Sequence, residues 1–237
     1  MKKKVLMLTL ILNAVPLIPV TMVRASSTKD WTLIHNGRGV KAYPDLREYC
    51  WEKVPDALPN EDYDLIGLHR VVEADTNPLG VVFILPGVCM NGEAQTSNPP
   101  EDEWILLEKY NLAYYLANRG FDVFAIDYRT HFIPRSLSNP DDIEFMKNWG
   151  WAQWISDIKE AMDLTKEVSQ TQKIYLLGQS FGGRAAMNYA SLYWQDDLEG
   201  IILMDGRPDA KLDPVFQVKQ KNLLQPEWFE YYPILYF

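Results

Sequence analysis

Runs of apolar residues without polar alternation recur along the middle of the chain. Gly80-Val-Val-Phe-Ile-Leu85 is one, and Phe121 to Ile126, Ile174 to Leu177 and Gly200 to Met204 are others. Such runs predict strands covered on both faces, as in a parallel sheet. Leu68 to Ala74 alternates in the manner of a half-buried strand, and Asn77-Pro78 then marks a turn. Between the runs the period changes. Leu106, Tyr110, Ala113 and Ala117 recur at helical spacing before Gly120, and Trp151, Trp154, Ile158, Ala161 and Val168 share the face of a second helix. A third helix, rich in small residues, runs from Phe181 to about Tyr193.

Strands alternating with helices of this length imply right-handed crossovers, so the fold class is α/β: a mostly parallel sheet with helices on both faces. Residues 68–206 form the core. Residues 26–67 carry Trp31, Tyr43, Tyr49 and Trp51 among Pro44, Pro55 and Pro59 and read as an irregular segment wrapping the domain. Residues 207–237 contain four prolines and seven aromatics and read as the start of a cap or as a tail.

The amino terminus changes the charge. Lys2, Lys3 and Lys4 precede an apolar run from Val5 to Val23, interrupted by Asn13, Pro16 and Pro19, and Val23-Arg24-Ala25 offers small residues for a signal peptidase. Residues 1–25 are expected to be a secretory leader cleaved after Ala25, giving a secreted or periplasmic protein with no stable membrane span. Taking the four basic residues of this leader from a net charge of −9 leaves −13. An acidic chain lacks the clustered Lys and Arg of a nucleic-acid surface, so no nucleic-acid partner is expected. Its 237 residues, 47% of them hydrophobic, suit one domain. Cys50 and Cys89 can be a disulfide after export or two separate thiols. No spacing suggests a metal site, and no cofactor is expected.

The chemistry concentrates in Gly178-Gln179-Ser180-Phe181-Gly182, set between a predicted strand and a predicted helix. This is the context a G-x-S-x-G nucleophile elbow requires. The glycines let the backbone approach closely around a strained serine, whose Oγ would stand above the carboxyl edge of the sheet. The following helix would aim its positive end at developing negative charge.

On these residues the chain resembles the α/β-hydrolase superfamily from about Leu68 to Gly206. Leu85-Pro-Gly-Val88 occupies the place of that superfamily's oxyanion loop. The stretch Tyr115 to Arg129, ending in Asp127-Tyr128-Arg129, looks like its next helix and strand. The resemblance implies a serine esterase or lipase acting on a small-molecule ester or related acyl compound, with Ser180 as nucleophile and the backbone N–H groups of Val88 and Phe181 as oxyanion donors.

In this superfamily an acid and then a histidine follow the serine. Here His35, His69 and His131 all precede Ser180. Asp205, ending the fourth buried strand, is the candidate acid, where some lipases of the superfamily carry theirs. His131, in the loop after Asp127, can approach the site or be a surface residue. His69 reads as a half-buried strand residue, and Asp127 with Arg129 as a pair bracing their loop. Only 32 residues follow the fourth strand, from Gly206 to Phe237. The expectation is therefore an amino-terminal portion of a longer hydrolase, without its last strands and its triad histidine. The alternatives are a catalytically inactive remnant or binding protein of the same fold, and a related activity on peptide or thioester bonds.

Overall fold

The computed structural model describes residues 30–40, 43–56, 63–88, 90–96, 111–134, 136–137, 140–205 and 234–236. Residues 1–29, which include the expected leader, Cys89, the first turns of the helix expected from Leu106, and residues 206–233 lie outside the described residues.

Five strands form where the apolar runs predict them: β3 (Ile66–Glu73), β4 (Val81–Leu85), β5 (Asp122–Asp127), β6 (Ile174–Gln179) and β7 (Leu198–Met204). Two more strands, β1 (Thr32–Val40) and β2 (Tyr43–Lys53), precede them, and β8 (Ile234–Tyr236) follows. The eight lie in one sheet in the order β1-β2-β3-β5-β4-β6-β7-β8. From β5 across to β8 every pairing is parallel, whereas β1, β2 and β3 join antiparallel.

The irregular wrapping expected of residues 26–67 is thus corrected, because β1 and β2 extend the sheet. Their alternation is disguised by charge. The inward positions of β2 are Leu46, Glu48 and Cys50, and Glu48 is buried against Arg38 of β1. Lys53, also buried, reaches Glu160 at 2.9 Å. A buried charge is tolerated when it is paired, and a polar inward residue breaks the pattern by which a strand is read. Beyond β7, Ile201 to Leu203 pair with Ile234 to Tyr236, so the tail read as the start of a cap also returns to the sheet edge.

Helices cover both faces. Helix α1 (Gly92–Thr96) and α2 (Leu112–Ala117) lie between β4 and β5; α3 (Trp151–Ser169) precedes β6 and α4 (Phe181–Asp197) precedes β7. Period-two alternation divides the strand side chains between two cores. Phe83, Leu85, Phe124 and Ile126 join Ile158, Met162, Ala185 and Tyr189 of α3 and α4. Val82, Ile84, Val123 and Ala125 join Ala113, Tyr114 and Ala117 of α2. The strand order reverses around β4, so the carboxyl ends of β4, β5 and β6 lie side by side, where open α/β sheets form their ligand crevice.

Two buried ionic groups fix these ends. Arg129, just past β5, bonds Asp157 of α3 through Nε and Nη2 at 2.7 and 2.8 Å and Asp64, just before β3, through Nη1 at 2.5 Å. Asp127 accepts a 2.6 Å hydrogen bond at Oδ2 from His69 Nε2, and Cys50 Sγ lies 3.9 Å from the same nitrogen. The loop bracing expected of Asp127 and Arg129 therefore runs to these partners. His69 is half-buried in β3, as its strand position predicts. Burial opposes charge on the His69 ring, but its hydrogen bonds to Asp127 and Cys50 outweigh this and carry its pKa up to about 10. Cys50 itself is a buried free thiol.

Replacing Arg129 with Ala leaves the carboxylates of Asp64 and Asp157 without their buried cation, and the expected loss is about 3–5 kcal/mol in urea denaturation. The His69 ion pair makes a pH-dependent contribution. A histidine whose pKa rises on folding stabilises fully below its unfolded value of about 6.5, and that stabilisation disappears as pH climbs toward the folded value. The stability gap between the wild type and His69→Gln should therefore be largest near pH 6 and shrink steadily toward pH 10, as followed by denaturant midpoints at each pH.

Candidate active site

Ser180 is half-buried between β6 and α4 with φ +51° and ψ −112°, a backbone conformation that a residue with a side chain rarely adopts. Its N–H donates to the carbonyl of Met204 at 2.8 Å, and its own carbonyl accepts from Gly183 at 3.0 Å. These bonds hold the turn from both sides.

The flanking glycines are required by space. A Cβ on Gly178 would stand 2.7 Å from Gly183 Cα, and one on Gly182 would stand 2.7 Å from the Pro86 carbonyl and closer still to that of Leu85. Only hydrogen fits at either position, because the first turn of α4 is pressed against the end of β4. The loop after β4 lies in van der Waals contact with the same turn: a Cβ on Gly87 would lie 3.4 Å from both Ser180 Cβ and the Gln179 carbonyl. The segment Pro86-Gly87-Val88 is thus seated directly against the turn that carries Ser180. Phe181 is the first residue of α4, where an N–H has no partner within its own helix.

An open cavity of about 530 Å³ lies beside the turn. Gly87, Val88, Met90 and Asn91 reach it from the end of β4; Tyr128, Thr130, His131 and Ile133 from the end of β5; Phe181 from the start of α4; and Trp154 from α3. Its character is apolar and aromatic. Phe181 stacks on Trp151 at 5.1 Å between ring centroids and meets Trp154 edge-on at 5.0 Å, while Trp154 packs on Tyr128 at 4.7 Å. The buried Tyr128 hydroxyl donates to the Pro86 carbonyl at 3.3 Å, joining this aromatic wall to the loop after β4.

Of the residues singled out in the sequence, Gly178, Ser180, Phe181, Gly182 and Val88 meet at one place. Asp205 directly follows β7, one residue beyond the carbonyl that holds the Ser180 N–H; it is exposed, with φ +53°. His131 lines the cavity. His35 is exposed on the edge strand β1. His69, Asp127 and Cys50 have the residue types of a cysteine hydrolase, but Cys50 and Asp127 both approach Nε2. A ring that relays a proton needs the nucleophile on one nitrogen and the acid on the other, so this cluster is a structural ion pair. Among the described residues, no group of three His, Cys, Asp or Glu side chains is placed to hold a metal ion.

Asn91, Tyr128 and Trp154 escape the sequence reading as site residues. Trp154 is part of an apolar helix face and Tyr128 sits inside the stretch Asp127 to Arg129, so both look like core. The signal for Asn91 is its place before Gly92 at a helix start: its Oδ1 accepts from the Ala94 N–H at 2.8 Å.

Comparison with known proteins agrees with this geometry. The family described as serine aminopeptidase, S33, matches residues 108–223. A candidate lipase from Sulfolobus solfataricus superposes with a TM-score of 0.67 at 33% sequence identity, over 82% of this chain and 56% of that one. The chain therefore spans little more than half the length of that protein. A cold-adapted esterase from an Arctic intertidal metagenomic library, 17% identical, shares the fold with a TM-score of 0.51 over 85% of this chain and 75% of its own. With its strand order, its G-x-S-x-G turn between β6 and α4 and these matches, the chain belongs to the α/β-hydrolase superfamily.

Proposed function

We propose that this protein is a serine hydrolase that cleaves small carboxylic esters through an acyl-enzyme on Ser180. The observation that carries the reading is the backbone of Ser180, held at φ +51° on a strand-to-helix turn against the Pro86-Gly87-Val88 loop. Such strain persists only where surrounding structure imposes it, and it concentrates at functional positions.

In this reading Ser180 Oγ attacks the ester carbonyl carbon as its proton passes to a base. The carbonyl oxygen becomes an oxyanion, which accepts hydrogen bonds from the N–H groups of Phe181 and Val88. Collapse expels the alcohol, which takes up the proton. Water then attacks the acyl-serine by the same route, releasing the carboxylic acid and restoring Ser180. Asp205, at the end of β7, is the candidate acid that would orient the base. No histidine follows Ser180 in these 237 residues, so the base is not assigned to a residue after it.

The cavity favours an ester over a peptide substrate. An aminopeptidase must hold a protonated α-amino group, which a carboxylate does best; among the described lining residues none is acidic. Val88, Met90, Ile133, Trp154 and Phe181 instead suit an apolar acyl or alcohol group. The names of the two matched proteins, a candidate lipase and an esterase, support the same substrate class.

A fluorophosphonate probe should label the intact chain at Ser180, with all labelling lost in Ser180→Ala, as read by mass spectrometry. A wild-type chain that stays unlabelled overturns the acyl-enzyme reading in favour of a non-catalytic binding protein. Gly182→Ala forces the elbow away from the carbonyls of Leu85 and Pro86 and so separates the two oxyanion donors. Losing one such donor costs about 10²–10³ in rate, and the labelling rate of Gly182→Ala should fall by at least that much.

A further inference from the structure

Tyr128 meets the loop after β4 through its hydroxyl, and the rotations open to that loop show what the contact does. Pro86 has its φ fixed at about −65° by its own ring and keeps the residue before it extended. The rotations that still set the direction of the Val88 N–H are ψ of Pro86 and φ and ψ of Gly87, which has no side chain to restrain them. Two hydrogen bonds close them. The Pro86 carbonyl accepts from the Tyr128 hydroxyl at 3.3 Å, and the Gly87 carbonyl accepts from the Met90 N–H at 3.1 Å. The first holds the peptide plane on one side of Gly87, and the second holds the plane on the other. In a planar trans peptide the N–H points opposite to the C=O, so the second bond aims the Val88 N–H and the first keeps Gly87 from swinging it away.

The Tyr128 end of this contact is firmly seated. Asp127 before it is tied to His69, and Arg129 after it to Asp64 and Asp157. Its ring packs on Trp154, which in turn meets Phe181, the residue carrying the other donor. Burial pushes the phenol well above its ordinary value, so the hydroxyl keeps its proton, and a carbonyl can do nothing but accept it.

We propose that Tyr128 is a positioning residue for acyl transfer: by holding the Pro86 carbonyl it keeps the Val88 N–H directed at the oxyanion, without itself touching the reacting atoms. The proposal rests on the reading of Ser180 as nucleophile with Val88 and Phe181 as donors. A donor set in advance counts most where charge develops, so Tyr128 acts on the chemical step and leaves ground-state binding alone.

Tyr128→Phe removes the hydroxyl and keeps the ring against Trp154, and the fluorophosphonate reaction of the intact chain tests it. Ser180 Oγ bonds to phosphorus as its proton passes to a base, fluoride leaves with the electrons of the P–F bond, and charge builds on the phosphoryl oxygen where an ester's oxyanion would form. Followed to saturation, this reaction separates the limiting rate of phosphonylation from the probe concentration that gives half of it. The limiting rate of Tyr128→Phe should fall roughly 3- to 10-fold, the size of one neutral hydrogen bond. That is less than the loss of about 10² for a donor removed outright, because the Met90 bond remains. The half-saturating concentration should stay within about twofold. Since the phenol keeps its proton, the ratio of wild-type to Tyr128→Phe rates should be constant from about pH 6 to about pH 9. Tyr189→Phe is the control: it removes a second buried tyrosine hydroxyl, bonded to Asp197 at the carboxyl end of α4. It should lower the urea midpoint at least as much while changing the limiting rate by less than about twofold, because hydrogen bonds to charged groups are the stronger ones. An unchanged limiting rate in Tyr128→Phe overturns the proposal, as does a loss seen in the half-saturating concentration instead, or an equal loss in Tyr189→Phe. A ratio that varies with pH overturns it in favour of a proton-transfer role. A wild type that never labels refutes the acyl-enzyme itself, and the role of Tyr128 falls with it.

Discussion

The site is organised by one close approach, that of the first turn of α4 to the end of β4. With Gly182 against the carbonyls of Leu85 and Pro86, and Gly178 against the helix start, the chain can leave β6 only through the strained conformation of Ser180. Such a conformation costs about 1–3 kcal/mol, so neighbouring structure must supply at least that much. Two backbone hydrogen bonds, to Met204 and from Gly183, hold the turn. Aromatic pairs add about 0.5–1.5 kcal/mol each beyond their burial, and three of them run from Phe181 through Trp151 and Trp154 to Tyr128. These contributions are of the size of the strain, and they act on the residues that border it.

The same wall explains why α3 matters to a site it does not enter by sequence. Trp151 and Trp154 hold Phe181, and the Tyr128 hydroxyl holds the carbonyl of Pro86, so the two segments that would supply oxyanion donors lean on one aromatic cluster. Arg129 anchors the far side, bonding Asp157 on α3 and Asp64 ahead of β3. Strand end, helix and loop are thereby tied by one buried cation. Oxyanion stabilisation depends on donors that need no rearrangement at the moment of reaction, and fixing both segments to shared partners is how this fold restrains them.

Much of this was legible in the sequence, for a physical reason. Strands covered on both faces must be apolar at every position, so β4 to β7 announce themselves, and the elbow reads out because only glycine fits around Ser180. What was hidden depends on pairing across long sequence distances. β2 buries Glu48 and Lys53, and nothing local says that Arg38 and Glu160 will meet them. Trp154 shows helical periodicity whether its helix covers a core or a cavity. Asn91 stands in a polar stretch without periodicity, yet it caps α1 and meets a ring 40 residues away.

His69 and His131 show how far residue type alone falls short. Both follow from the same sheet, one inside β3 and one just past β5. The partner of the first is a carboxylate, which rewards the charged ring and keeps it protonated well above neutrality. The second faces the Asn91 amide, whose oxygen accepts from the Ala94 N–H, so that the amide presents its NH2 group to Nδ1 of the ring. One histidine is thereby held as a cation inside the scaffold, while the other stands beside an amide in the cavity wall. The difference comes from the group each ring meets across the fold, a carboxylate for His69 and, for His131, an amide that the Ala94 N–H orients.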